Sequence, residues 1–148
     1  MFCFVLVVEK PVSDNWLFFY ILCGMNANQK GCYAEYHFSA TAMKNGFNVS
    51  MPLLDSSSYD CIIEKKGSLF KIQIKYLGEN RYKHRGSTQI TLKRTGEPSY
   101  DKKYVDYFAL WSEEYKGFFI IKNLGQTSIR VSITNKYKEN FNNFALIS

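Results

Sequence analysis

The sequence predicts one mixed α/β domain, in which a helix precedes a central sheet of four or five strands and a strand-rich extension. Two observations predict this class. An apolar stripe with helical spacing lies ahead of the first strand pattern, and several later segments alternate apolar and polar residues as strands do. A chain of 148 residues can bury a sizeable core within one domain.

The first predicted element is an amphipathic helix that begins after Asn28. Its apolar stripe consists of Ala34, Phe38 and Ala42. Gly46 stands where a C-terminal cap is expected, because glycine adopts the left-handed backbone conformation without strain. Glu35 lies near the predicted start of the helix and beside the stripe, so its carboxylate can lean toward the edge of the sheet.

Residues 58–64 and 69–75 are predicted to form a β-hairpin around a turn at residues 65–67. In the second strand the apolar side chains of one face alternate with the polar side chains of the other: Phe70, Ile72 and Ile74 against Lys71, Gln73 and Lys75. A strand that only faced a core would not need Gln73 and Lys75 two residues apart. The polar face of this strand is therefore a candidate for chemistry.

Asp60 lies at the mouth of the first hairpin strand and faces this polar pair, an arrangement that suits a metal-dependent phosphodiesterase site. The carboxylate would hold the cation, the oxygen of Gln73 would ligate it, and Lys75 would steady the attacking water or the phosphate charge. Glu35 can join Asp60 at the same cation.

Each of these residues also has a structural interpretation. Glu35 alone would be a solvated acid near the helix N-terminus, Asp60 a strand-edge residue that binds a backbone amide, and Lys75 a solvent-facing strand lysine. Their joint occurrence in this order, on the expected elements, favours the catalytic interpretation.

Four further elements are predicted downstream. Residues 104–110 and 115–121 form strands with a turn between them at residues 113–117, because Gly117 weakens the run around it. Residues 128–134 alternate as a strand, and residues 137–144 form a last short helix.

The basic residues are concentrated in one region. The chain has a net charge of +6, yet residues 65–103 hold eleven lysines and arginines against three acidic residues, a net charge of +8. A solvated basic face would spread this excess evenly, so the concentration favours a polyanionic partner. The predicted DNA contacts are Arg81, Lys83, Arg85, Gln89, Lys93 and Arg94.

The order of Glu35 in a helix, Asp60 opening a strand and Gln73-x-Lys75 on the next strand resembles the core motif of the PD-(D/E)XK nucleases. It is most similar to the branch of small intron-encoded homing endonucleases of bacteria, and the resemblance extends over residues 28–122. Two positions depart from the motif.

Tyr59 replaces the proline of the motif, a position that is widely dispensable in such motifs. Gln73 replaces its second acid, which removes one negative charge and should weaken cation binding. Some members of the homing-endonuclease branch resemble this chain in carrying Gln there, so we interpret Gln73 as a variant ligand.

The resemblance implies a restriction-endonuclease-like mixed sheet and a Mg²⁺-dependent endonuclease that hydrolyses double-stranded DNA and leaves a 5′-phosphate. It assigns catalysis to Glu35, Asp60, Gln73 and Lys75, with the first three as metal ligands. His37 is predicted to pack or to contact phosphate. A homo-oligomer, either a dimer or a tetramer, is expected, because one small domain holds one site. Two alternatives stay open: a nuclease similar to the Holliday-junction resolvases, and a catalytically weak DNA-binding protein of the same fold.

The first 24 residues match nothing in the resemblance. We expect the nuclease domain to span residues 25–148, with Met25 as the translation start and the upstream stretch an over-extended reading frame. If the stretch is translated, residues 2–8 would add an edge strand or an oligomer contact.

The four cysteines show no paired spacing, so neither a zinc site nor a disulfide framework is predicted, and a cytoplasmic or organellar protein fits best. The apolar run at residues 16–23 is shorter than the roughly 20 residues of a membrane-spanning helix. No membrane partner is therefore expected.

Overall fold

The computed structural model describes residues 24–54, 56–78, 87–93, 96 and 99–148. These residues form one α-helix, α1 (Ala27–Lys44), and seven strands. The strands are β1 (Asn48–Ser50), β2 (Cys61–Lys65), β3 (Ser68–Leu77), β4 (Thr88–Thr91), β5 (Tyr107–Ser112), β6 (Gly117–Lys122) and β7 (Ser128–Val131). Two short 3₁₀ helices follow, Lys138–Asn140 and Phe144–Leu146.

Helix α1 begins at Ala27, about two turns ahead of Ala34, the first residue of its apolar stripe, and a capping box fixes its N-terminus. The Gln29 amide donates to Asn26 Oδ1 at 2.9 Å, and the Asn26 amide donates to Gln29 Oε1 at 2.9 Å. Both bonds satisfy backbone donors that the first helical turn leaves without partners. At the other end Gly46 has φ +80°, as its predicted role near the C-terminal cap requires.

The predicted hairpin is confirmed as β2 and β3, which pair antiparallel with Lys65 opposite Ser68. The two loop residues, Lys66 and Gly67, have φ of 52° and 80°. Positive φ at both positions is the signature of a type I′ turn, whose twist matches that of the flanking strands. The local chemistry of this turn therefore fixes the register that brings Asp60 beside β3.

The main sheet has five strands in the order β1-β2-β3-β5-β6. Strands β3 and β5 run parallel, and the other neighbouring pairs are antiparallel. Strand β4 is not part of this sheet. It pairs antiparallel with β7 in a separate two-stranded ribbon. The mixed sheet with a flanking N-terminal helix and a strand-rich extension agrees with the predicted fold class.

Two apolar clusters cover the two faces of the main sheet. On one face α1 packs its stripe on Cys61, Ile63, Ile72 and Ile74. On the other face the β4–β7 ribbon contributes Ile129 and Val131 to a cluster with Leu77, Phe108 and Leu110. Strand β5 lies between the clusters, and all six of its residues are buried.

The predicted strand at residues 104–110 begins later than expected, at Tyr107. The amides of Tyr104 and Val105 both donate to the carbonyl of Asp101, so residues 101–105 form a turn. The predicted turn at residues 113–117 is present, and Gly117 opens the next strand. A Cβ at Gly117 would lie 2.5 Å from Phe141 Cζ, so close approach of the C-terminal segment requires glycine there.

The predicted helix at residues 137–144 is wrong. Phe118 and Asn142 exchange hydrogen bonds, from the Asn142 amide to the Phe118 carbonyl at 2.7 Å and from the Phe118 amide to Asn142 Oδ1 at 2.8 Å. Asn140 Nδ2 also donates to the Ile120 carbonyl. The segment thus supplies hydrogen-bond partners to the backbone of β6 at the outer edge of the sheet. On either side of these bonds the chain forms only single 3₁₀ turns.

Candidate active site

Asp60 directly precedes β2 and extends its pairing with β3. The Asp60 amide donates to the Ile72 carbonyl at 2.9 Å, although Cys61 is the register partner of Ile72. Two residues opposite one is the arrangement of a β-bulge, which re-aims the side chain at that position. The Asp60 carboxylate is thereby directed along the edge of β3.

The Asp60 carboxylate is held by two donors from β3. Its Oδ2 accepts from the Ile74 amide at 2.6 Å and from Gln73 Nε2 at 2.5 Å. Burial raises the pKa of Asp60 above its ordinary value, and it outweighs the opposing effects of these two hydrogen bonds and of the Lys75 charge. The charged carboxylate is thus costly to hold here without a cation.

Gln73 and Lys75 point to the face of the sheet that the β4–β7 ribbon covers. Their register partners on β5 are Phe108 and Leu110, which belong to the ribbon-side cluster. The Lys75 ammonium lies 5.3 Å from the ring centroid of Tyr100, within the range of a cation–π contact. Tyr100 therefore supports Lys75 beside Asp60, a role that the sequence did not predict.

Glu35 lies in the middle of α1, so the alternative of a first-turn acid at the helix dipole is wrong. Its side chain is half-buried, and its charge acts on Cys61, the first residue of β2. Burial raises the pKa of the Cys61 thiol to about 12, and the negative charges of Asp60 and Glu35 add to this effect. The two carboxylates thus act on the same buried thiol at the start of β2.

The structure brings all four predicted catalytic residues to the region where β2 begins: Asp60, Gln73 and Lys75 in direct or charge contact, and Glu35 from the helix. Among the described residues, no three His, Cys, Asp or Glu side chains form a metal-binding group by themselves. A cation site at this position would therefore depend on the amide oxygen of Gln73.

His37 is a packing residue, one of the two roles predicted for it. Its ring stacks on Trp111, with centroids 4.5 Å apart, and meets Tyr33 edge-on at 5.1 Å. These contacts join α1 to β5, which lies on the other side of β3 from β2.

Two of the predicted DNA contacts fall on described residues. Gln89 is an exposed residue of β4, and Lys93 is exposed just after that strand. The other four, Arg81, Lys83, Arg85 and Arg94, lie outside the described residues. Gln89 accepts a hydrogen bond from Arg130 of β7, a residue that was not predicted. The alternation of Ile129, Arg130 and Val131 was the available signal, because it places Arg130 on the outer face.

The profile of the PD-(D/E)XK endonuclease family matches residues 25–147. The chain belongs to this family. Its members hydrolyse phosphodiester bonds, so this PD-(D/E)XK endonuclease is a hydrolase of that class, as its motif order predicted. The matched residues include α1 and every described strand.

Among solved structures, this endonuclease is similar to the bacterial homing endonuclease I-Ssp6803I. The TM-score is 0.68 at 22% sequence identity, and the match covers 82% of this chain and 91% of that one. The similarity confirms the predicted restriction-endonuclease-like fold. A search of curated proteins found no match. Within the described part of the chain, no helix is both long and apolar enough to cross a membrane.

Proposed function

We propose that this protein is a Mg²⁺-dependent, site-specific endonuclease of double-stranded DNA, with Glu35, Asp60, Gln73 and Lys75 as its catalytic residues. The observation that carries the proposal is the contact of the Asp60 carboxylate with Gln73, on a strand that also holds Lys75 on the same face. An isolated structural aspartate would not need a lysine and an amide arranged in this way.

The donor set fits a magnesium ion. Asp60, Glu35 and Gln73 offer carboxylate and amide oxygens, the ligand type that Mg²⁺ prefers. The raised pKa of Asp60 also fits, because a cation would replace the solvation that this carboxylate loses by burial. When bound, the ion would polarise the phosphate and lower the pKa of a bound water.

The residues of the chain have distinct tasks in this reaction. The Ile74 amide and the Gln73 side chain hold the Asp60 carboxylate in one orientation. The Gln73 hydrogen bond belongs to the metal-free protein; with an ion bound, half a turn of the Gln73 amide would replace its nitrogen by its oxygen, a neutral ligand. Lys75, held against Tyr100, offsets the negative charge that develops on the phosphate and orients the attacking water.

Cutting both strands of a duplex calls for two such sites, and the described residues contain one. We therefore include in the proposal a homo-oligomer, a dimer or a tetramer, that places two sites on one DNA. Light scattering of the purified protein, alone and with duplex DNA, measures its mass. A single chain that cuts both strands as a monomer would contradict this part of the proposal.

The test is cleavage of supercoiled plasmid with Mg²⁺ and with EDTA, for the wild type and for Asp60→Ala. We expect Mg²⁺-dependent cleavage by the wild type, and a rate at least about 10³-fold lower for the variant. DNA binding by Asp60→Ala should stay near that of the wild type, since the basic surface is unchanged.

Asp106→Asn is the matched control. Asp106 also directly precedes a strand, and its Oδ2 accepts from the Lys71 amide at 2.7 Å, a bond that the Asn oxygen can keep. This variant should cleave like the wild type. Equal losses of binding and cleavage in Asp60→Ala would show that Asp60 is structural. Binding without cleavage by the wild type would leave a DNA-binding protein of the same fold.

A further inference from the structure

The β4–β7 ribbon has a polar outer face whose role the motif does not explain. Its inward residues, Ile90, Ile129 and Val131, pack on the ribbon-side cluster. Its outward residues form two cross-strand pairs, Gln89 with Arg130 and Thr91 with Ser128. Neither strand contains an acidic residue, and Gln89 and Arg130 are both exposed.

The ribbon covers the face of the main sheet to which Gln73 and Lys75 of β3 point. Ile129 and Val131 share one cluster with Phe108 and Leu110, the register partners of Gln73 and Lys75. Tyr100, which supports Lys75, belongs to this cluster too. A duplex that reaches Lys75 therefore meets the ribbon on the same side of the protein.

Arg130 is held in a defined orientation on this ribbon. One of its terminal nitrogens, Nη2, donates to Gln89 Oε1 at 2.8 Å, and Asn135 Nδ2 donates to the Arg130 carbonyl at 3.0 Å. The guanidinium keeps further N–H donors for a ligand, because it carries five in a fixed planar fork. The bond also occupies the oxygen of the Gln89 amide, so the nitrogen is the part of this amide that can donate to a ligand.

We propose that the outer face of the β4–β7 ribbon enters the major groove of the target DNA and that Arg130, oriented by Gln89, reads a guanine there. The inference rests on the proposed DNA endonuclease function and adds its specificity-determining residue. A two-stranded β-ribbon fits the major groove, and the fork of an arginine matches the O6 and N7 acceptors of guanine.

The dimensions and charge of the ribbon support this assignment. Successive residues of a strand rise about 3.3 Å, close to the 3.4 Å spacing of nucleotides along one DNA strand. The outward residues two apart on each strand, such as Gln89 and Thr91, are thus about 6.6 Å apart and can follow every second base pair. Neither strand of the ribbon carries an acidic side chain that would repel the phosphates on either side of the groove.

The experiment selects bound duplexes from a library with a randomised central segment. Asp60→Asn serves as the background, so that the DNA is bound and not cut, and Arg130→Ala and Arg130→Lys are added to it. Lys44→Ala is the matched control, since it removes one exposed positive charge at the end of α1, on the opposite side of the sheet.

The background protein should select a consensus sequence. Both Arg130 variants should lose discrimination at the same one or two positions, by about 5- to 150-fold, and keep it elsewhere. Arg130→Lys is decisive, because it retains the charge and loses the bidentate fork. Lys44→Ala should select the unchanged consensus.

An unchanged consensus in both Arg130 variants would overturn the inference. A uniform loss of affinity with a salt slope lower by about one would also overturn it, since this is the mark of a phosphate contact. A wild type that cuts plasmid and selects no consensus would refute site specificity, and base reading with it. A consensus that depends on Arg130, in a wild type that does not cut, would refute the proposed cleavage and retain the reading role.

Discussion

Strands β3 and β5 are parallel neighbours in the main sheet and differ in what they carry. Toward the ribbon, β5 presents Phe108 and Leu110, while β3 presents Gln73 and Lys75 at the same two register positions. On the helix side both strands are apolar, with Ile72 and Ile74 of β3 in the same cluster as α1. The difference between them is confined to one face of one strand.

This comparison separates stability from chemistry within one sheet. A polar side chain in a half-buried position costs free energy unless it is paired, so Gln73 and Lys75 reduce what β3 contributes to the core. Proteins depart from such local rules mainly at functional sites. We therefore expect substitutions on the polar face of β3 to change activity, and substitutions on β5 to change stability.

The largest expected effect is that of Lys75→Met. Methionine keeps most of the side-chain length and removes the charge, so cleavage should fall about 10³-fold with little change in the unfolding midpoint. Lys71→Met is the control, because Lys71 lies on the same face of β3 and its Nζ donates to the Lys103 carbonyl. Plasmid cleavage rates and urea unfolding measure both effects. Equal loss of activity in the two variants would show that Lys75 has no role that Lys71 lacks.

Phe108→Ala tests the opposite half of the comparison. Phe108 is fully buried, and its truncation should lower the free energy of unfolding by about 3–5 kcal/mol. Gln73→Ala, at the register partner, should cost less, about 1.5–3 kcal/mol, since it removes the hydrogen bond to the Asp60 carboxylate, a longer one to the Ile74 carbonyl and little apolar contact. Urea unfolding of both variants gives the difference, and similar costs would show that the two strands share the core equally.

Asp60→Asn should stabilise the metal-free protein by a few degrees at neutral pH. The pKa of Asp60 is raised in the folded state, so the ionised carboxylate opposes folding, and stability declines as pH rises from the ordinary value of 3.8 through the raised one. Asparagine keeps an oxygen for the Ile74 amide and carries no charge. Below pH 3.8 the advantage should disappear.

Melting curves in EDTA and in Mg²⁺ measure this effect without any assay of cleavage. Mg²⁺ should raise the melting temperature of the wild type and leave that of Asp60→Asn unchanged, since ligand binding stabilises the state that binds it. If Mg²⁺ does not change the melting temperature of the wild type, the cation does not bind at Asp60.

Gln73→Glu sharpens the comparison within the site. A second negative charge beside Asp60 should tighten Mg²⁺ binding and destabilise the metal-free protein, because the like charges repel. Calorimetric titration with Mg²⁺ measures the affinity. Unchanged affinity would place Gln73 outside the ligand set, and residual activity of Gln73→Ala would then decide its role.

The smallest expected effect is that of deleting residues 1–24. The N-terminus of α1 is capped by Asn26 and Gln29, so the helix that carries Glu35 holds its own first turn. The shortened chain should fold and cleave like the full one, as circular dichroism and plasmid assays would show. Loss of solubility, with residues 2–8 protected from hydrogen exchange in the full chain, would contradict this prediction.

The sequence by itself determined the elements whose signals are local. The stripe of Ala34, Phe38 and Ala42 has helical period, and the Lys66-Gly67 turn closes a hairpin whose register follows from two backbone angles. The same local order brought Asp60, Gln73 and Lys75 together, because an antiparallel hairpin joins residues that are close in sequence. Glu35 lies on α1, and only the packing of α1 on the sheet brings it near these residues. Of the sequence signals, only the order of the motif predicted this position.

Tertiary structure decided the contacts between distant segments. The parallel pairing of β3 with β5 joins residues about 35 positions apart, and it is this pairing that sets Lys75 beside Leu110. The C-terminal segment has a helix-like pattern, yet the free edge of β6 offered it backbone hydrogen bonds through Asn142. Arg130 meets Gln89 by the same kind of nonlocal pairing. Local periodicity fixes the type of an element, whereas its neighbours depend on which unsatisfied edges and apolar faces the whole chain leaves to be covered.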